Sequence, residues 1–132
     1  MMMRRACLLV IGVLLLVGGL VAPAPAAKAR GETHKVTVEG GFPRFTFEPA
    51  DITISAGDKV VWLNNTSAEH HIQPYAGPWA EGTHGHLEPD GGKASLTFKK
   101  PGVYKYYCDL PFHGQLLPGE ICAGQCGTVT VN

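Results

Sequence analysis

Short strand-like runs, cut by glycine and proline turns and never lengthening into a helical period, restrict this chain to an all-β fold. The runs lie at 35–39, 44–47, 52–54, 59–63, 94–98, 103–108 and 128–131. Gly40-Gly41, Ala56-Gly57-Asp58, Asp90-Gly91-Gly92 and Lys100-Pro101-Gly102 punctuate them. Many short strands with turn residues between them read as an antiparallel β-sandwich. Alternation assigns the faces: Val36 with Val38, Ile52 with Ile54, Leu96 with Phe98, and Val60 with Trp62 opposite Val61 and Leu63. Trp62 is placed in the core, where its indole N–H needs one partner. The stretch 73–89, rich in proline and glycine, reads as a long loop.

The first residues stand apart. Arg4-Arg5 precedes an uncharged apolar run from Ala6 to Val21, then Ala22-Pro-Ala-Pro-Ala-Ala27. A basic end, an apolar centre and an Ala-x-Ala site describe a secretory signal peptide. Residues 1–26 are therefore read as a leader, 27–33 as a flexible mature N-terminus and 34–132 as one domain. Cleavage after Ala29 is the alternative site. Membrane contact follows only if the leader stays uncleaved, and its apolar run is short of the roughly 20 residues a span needs. Loss of Arg4 and Arg5 lowers the basic count from 11 to 9, against 11 acidic residues. The remaining basic residues are scattered, which argues against a nucleic-acid partner. Export makes the protein periplasmic or extracellular and permits disulfides. A mature chain of about 105 residues is at the size where a metal or disulfide staple helps.

The chemistry concentrates at Tyr106-Tyr107-Cys108-Asp109-Leu110-Pro111-Phe112-His113, where a strand ends on a cysteine and a histidine follows five positions later. A thiolate and an imidazole on one tight loop suit a copper ion. A further histidine comes from upstream, in Asn64-Asn65-Thr66-Ser67-Ala68-Glu69-His70-His71-Ile72. Two imidazoles and one thiolate make the trigonal set of a blue-copper electron-transfer site. After removal of Cys7 with the leader, Cys108, Cys122 and Cys126 remain, so one thiol is left over even if two pair. No Ser/His/Asp arrangement or carboxylate pair argues for hydrolysis, and no small-molecule substrate is expected.

These segments resemble the cupredoxin family, which includes plastocyanin, azurin and the phytocyanins. Asp51-Ile-Thr-Ile-Ser-Ala-Gly-Asp58 with Val60-Val61-Trp62-Leu63-Asn64 is similar to one family block. Lys99-Lys-Pro-Gly-Val-Tyr-Lys-Tyr-Tyr-Cys108 is similar to a second, and Gly127-Thr-Val-Thr-Val131 to the closing strand. The resemblance implies a Greek-key β-sandwich and a non-enzymatic carrier with one copper ion per chain, passing single electrons between redox protein partners. It implies His70, Cys108 and His113 as ligands, His71 beside the site, and Asn64 or Asn65 as a hydrogen-bond source near the Cys108 sulfur. Phe112 would form an apolar rim at an exposed edge of His113.

The axial ligand is where the chain departs from the family. Counting back from the closing strand puts Gln125 in the family's methionine position, as glutamine stands in stellacyanin-like members. Counting forward from His113 gives Leu117 instead, and Glu120 or a cysteine remain possible donors. The loop from His113 to Gln125 is about eight residues longer than azurin's, by that resemblance. Cys122 and Cys126 read as a disulfide stapling this loop, as free thiols for copper transfer, or as thiolates of a dinuclear copper A-like centre. His84-Gly85-His86 reads as a solvated pair or a surface metal site. Copper storage, delivery or oxidase assembly is the alternative function.

Overall fold

The computed structural model describes residues 22–23 and 31–132, so the leader expected at 1–26 lies outside the described residues almost entirely. Eleven strands follow in order: β1 (Thr33–Gly41), β2 (Arg44–Glu48), β3 (Asp51–Ile54), β4 (Lys59–Asn64), β5 (His70–Ala76), β6 (Gly85–Leu87), β7 (Lys93–Thr97), β8 (Gly102–Tyr107), β9 (Gly114–Leu117), β10 (Ile121–Gly124) and β11 (Cys126–Val131). One sheet has the order β2-β1-β4-β7 and the other β3-β11-β8-β5-β6, with β9 and β10 as a separate hairpin. Most pairs are antiparallel; β1 with β4 and β3 with β11 are parallel. No helix occurs among the described residues.

All seven sequence-derived runs are strands. Two loops hold structure that local pattern did not show. The stretch 73–89 read as a loop contains the end of β5 and all of β6, where Pro74 and Gly85 mask strand character. The lengthened segment after His113 folds into the β9–β10 hairpin, turning at Pro118-Gly119-Glu120. Neither has two-residue alternation long enough to stand out, so sheet pairing decides them.

Alternation places the core. In β4 the burial alternates, with Val60, Trp62 and Asn64 inside. Val36, Val38, Phe47, Phe98, Tyr104, Tyr106, Val129 and Val131 close the space between the sheets. The indole N–H of Trp62 donates to the Tyr106 hydroxyl at 3.0 Å, and the two rings meet edge to face at 5.5 Å. This satisfies both polar atoms in a site from which water is excluded. Gly127 lies opposite Tyr106 in the β8–β11 register. A methyl group there would overlap the Tyr106 ring and hydroxyl, so only glycine lets the ring lie across the strand.

At the other end, Asp58 braces the edge. Its carboxylate accepts from the backbone N–H of Glu32 at 2.8 Å and of Ser55 at 3.0 Å, and pairs with His34 Nε2 at 2.9 Å. His34, to which the sequence assigns no role, thus ties β1 to the turn before β4. The Ser55 N–H, the His34 ring and the Glu32 N–H hold the Asp58 carboxyl below its usual 3.8. The unfolded chain therefore binds the proton more readily, and this stabilisation is present above about pH 4 and lost as pH falls through the lower folded value. Asp58→Asn is expected to lower the melting temperature at neutral pH and to flatten the acid limb of a melting-temperature profile below about pH 4. Gly127→Ala is expected to cost about 1–3 kcal/mol through overpacking against Tyr106, read by urea denaturation.

Candidate metal centre

Asn64 organises the upstream side of the site. Fully buried at the end of β4, it donates from Nδ2 to the carbonyls of Ala68 at 2.7 Å and Glu88 at 2.9 Å. Its Oδ1 accepts from the backbone N–H and the hydroxyl of Thr66, each at 2.9 Å. The loop is thereby folded back so that β5 opens on His70 with its ring buried. Thr66 Oγ1 lies 2.9 Å from His70 Nε2. With the hydroxyl proton given to Asn64, the oxygen accepts from Nε2–H, which leaves the Nδ1 lone pair directed into the site.

β8 delivers the sulfur. Cys108 follows its last residue, is fully buried, and donates its backbone N–H to Gln125 O at 3.1 Å. Its Sγ accepts the backbone N–H of His71 at 3.3 Å. The expected donors Asn64 and Asn65 are thus corrected. Asn64 is spent on the loop, and Asn65 Nδ2 is turned outward to Glu39. The reason is sheet pairing: β5 lies beside β8, so the His71 N–H points across toward the residues that follow β8. Burial raises the Cys108 thiol pKa, opposed by the backbone N–H groups of His71 and Leu110. A thiol in such surroundings needs a cation beside it to become a thiolate.

His113 closes the loop. Its N–H donates to Leu110 O at 3.1 Å, and its Nδ1 lies 3.4 Å from Cys108 Sγ. His70 Nδ1 lies 3.9 Å from the same sulfur. Donor atoms of His70, Cys108 and His113 all fall within 4.8 Å of one another. Burial, then the neighbouring His113, lowers the His70 pKa to about 4. Burial, then His71, lowers that of His113. Both rings are therefore neutral near pH 7 and keep a lone pair for a metal.

Phe45 of β2 was not singled out from sequence, though it alternates with Phe47. Its ring packs at 4.7 Å from His70 and 4.5 Å from His113, holding both imidazoles from one side. Gly114 follows His113 where a methyl would sit 2.6 Å from Cys108 O and 2.9 Å from Gln125 O.

Gln125 is brought to the same place, 0 % exposed, with its Oε1 at 3.0 Å from His70 Nδ1. Its Nε2 is buried without a partner. An amide that gives up one hydrogen bond to aim its oxygen at a lone pair fits a cation between them. Leu117, the other register, lies on β9 and is 37 % exposed, away from the cluster. Glu120 is exposed at the hairpin turn. Cys122 and Cys126 are joined as a disulfide, which corrects the copper A-like and free-thiol readings by consuming both thiolates. Cys108 is the free cysteine among the described residues. The bridge spans Gln125 and anchors it between β10 and β11.

The rim is apolar. Phe112, 82 % exposed at a positive φ of 68°, meets Phe42, 74 % exposed, at 6.4 Å. Phe112 adjoins His113, as expected.

A soft sulfur, two neutral imidazoles and an amide oxygen are a donor set for copper. Residues 32–131 match the family model described as copper binding proteins, plastocyanin/azurin family. Plastocyanin of Nostoc punctiforme is 31% identical, over 98% of this chain and 94% of its own. Plastocyanin of Scenedesmus fuscus is 35% identical, over 75% and 97%. Among solved structures, a purple cupredoxin from Nitrosopumilus maritimus superimposes with TM-score 0.56 at 27% identity, covering 74% of this chain and 98% of that one. An oxidized amicyanin variant gives TM-score 0.57 at 25% identity, covering 81% and 88%. The chain belongs to the plastocyanin/azurin family of copper-binding proteins and is a cupredoxin electron carrier rather than an enzyme.

Proposed function

We propose that this protein carries single electrons through one mononuclear type 1 copper site held by His70, Cys108 and His113, with Gln125 as axial donor. The observation that carries the reading is the convergence of two Nδ1 atoms, one Sγ and one Oε1, with His70, Cys108 and Gln125 fully buried. When bound, copper supplies a one-electron couple between its cupric and cuprous states. The protein's part is to keep the donors still. Thr66 fixes the His70 ring, Phe45 supports both imidazoles, and the Cys108 and Gln125 backbones are tied to each other and to His113. Donors that cannot relax make electron exchange cheap in reorganisation.

His113 is the partly exposed member and adjoins Phe112, which in turn meets Phe42. We assign the approach of a redox protein partner to this apolar rim, where desolvation favours a brief, weak contact. Residues 1–26 would export the chain, so that it works in the periplasm or outside the cell. The pairing of Cys122 with Cys126 favours the carrier over copper storage or delivery, because it withdraws the two extra thiols that handling Cu(I) would use.

An absorption spectrum of the copper-loaded protein tests this: an intense visible thiolate-to-copper band that a mild reductant bleaches reversibly is the expected result. A colourless, tight Cu(I) complex would favour copper handling. Cys108→Ser is expected to abolish the band with the circular dichroism of the fold retained. Gln125→Met is expected to raise the reduction potential and alter the spectrum with copper still bound, since an amide oxygen is a harder donor than a thioether and favours the oxidised ion. Leu117→Ala is expected to move neither appreciably; the reverse pattern would assign the axial position to the other register.

A further inference from the structure

His71 is the residue after a ligand, yet its ring points away from the copper donors. Alternation along β5 turns it to the outer face, and the β5–β6 register places it directly opposite His86. Glu69 joins them from the preceding loop. Its Oε1 lies 2.9 Å from His71 Nε2 and 3.4 Å from His86 Nε2. Donor atoms of the three residues fall within 4.8 Å of one another. Glu88 Oε1, 3.2 Å from His86 Nε2, is a fourth donor at the same place. His84, two residues before His86, brings its ring to 4.9 Å from that of His71.

His71 is also oriented for such a role. Its Nδ1 lies 2.7 Å from Asp109 Oδ1. A carboxylate that takes Nδ1–H turns Nε2 outward, toward Glu69 and His86, where an ion would replace the proton that Nε2 shares with Glu69. This carboxylate–histidine arrangement is the usual support of a metal-bound imidazole. His71 is mostly enclosed, whereas Glu69 and His86 are about half exposed, so an ion enters from solvent and keeps water in its remaining positions. Imidazole and carboxylate without thiolate suit Zn(II) and related borderline ions rather than Cu(I).

We propose that Glu69, His71 and His86 form a second metal site, on the outer face of β5 and β6, for a divalent ion of the zinc type. The site is adjacent to the first: the His71 backbone N–H donates to Cys108 Sγ. An ion there adds positive charge one residue away from the sulfur, which favours the reduced state of the carrier. That consequence rests on the copper reading; the binding itself does not.

The test is calorimetric titration of the copper-loaded protein with Zn(II), with the visible band and the midpoint potential followed in parallel. The expected result is one Zn(II) bound per chain with the band retained and the midpoint raised. His86→Gln and Glu69→Gln should each weaken binding by about tenfold or more and abolish the rise in midpoint, while leaving the band in place. A normal band without zinc uptake, or uptake unaffected by both substitutions, overturns the second site and leaves a plain histidine–carboxylate network. An unmoved midpoint with zinc bound overturns the coupling. Zinc uptake that His86→Gln abolishes, in a protein that shows no visible copper band, would uphold the second site and refute the copper reading instead.

Discussion

The pairing of β8 with β11 is the constraint on which the rest of the site depends. It sets Tyr107 opposite Cys126. One residue further along, the Cys108 N–H meets the Gln125 carbonyl, so the thiol and the amide leave the ladder side by side. The Gln125 N–H then holds the His113 carbonyl, which ties the loop after Cys108 to the start of β11. The register is itself pinned by the Tyr106 ring lying over Gly127. A slip of one residue would invert every side chain on the strand, sending Tyr106 to solvent and Cys108 out of the core.

Burial gives the site its electrostatic character. The Cys108 thiol and the His70 imidazole are removed from water and His113 partly so, which penalises their charged forms. Both histidines stay neutral, and the thiol resists ionisation. In that state the cluster presents neutral donors with free lone pairs, and a soft cation is what such a donor set accepts best. The outer face of the same strand has the opposite character. His71 experiences burial that lowers its pKa, but Asp109 and Glu69 outweigh this and raise it. Two adjacent histidines thus have different chemistries because a strand turns them to opposite sides.

The added length after His113 has a structural use. Rather than a floppy insertion, it forms the β9–β10 hairpin, and the Cys122–Cys126 bridge fastens the returning strand beside Gln125. The hairpin leaves Leu116, Leu117 and Ile121 exposed. The lengthened loop therefore holds Gln125 in place while adding exposed apolar side chains of its own.

Residue types and their local spacing determined the all-β class, the seven strongest strands, the inward faces of Val36, Val38, Val60 and Trp62, and Cys108 with His113 as candidate donors, to which the family resemblance added His70. These are short-range properties: alternation is a two-residue period, and Cys108 and His113 share one turn. Tertiary structure decided what depended on pairing at long range. Which of the two candidates ends beside His70 depends on such pairing: hydrogen bonds to Cys108 and His113 bring Gln125 to the cluster, whereas Leu117 lies on the hairpin. The donor to the sulfur proved to be the His71 backbone, and no side-chain pattern encodes a backbone N–H. Phe45, Asp58 with His34, and the meeting of His71 with His86 likewise appear only when sheets bring distant segments together. Sequence lists the donors; the sandwich sets which of them can meet.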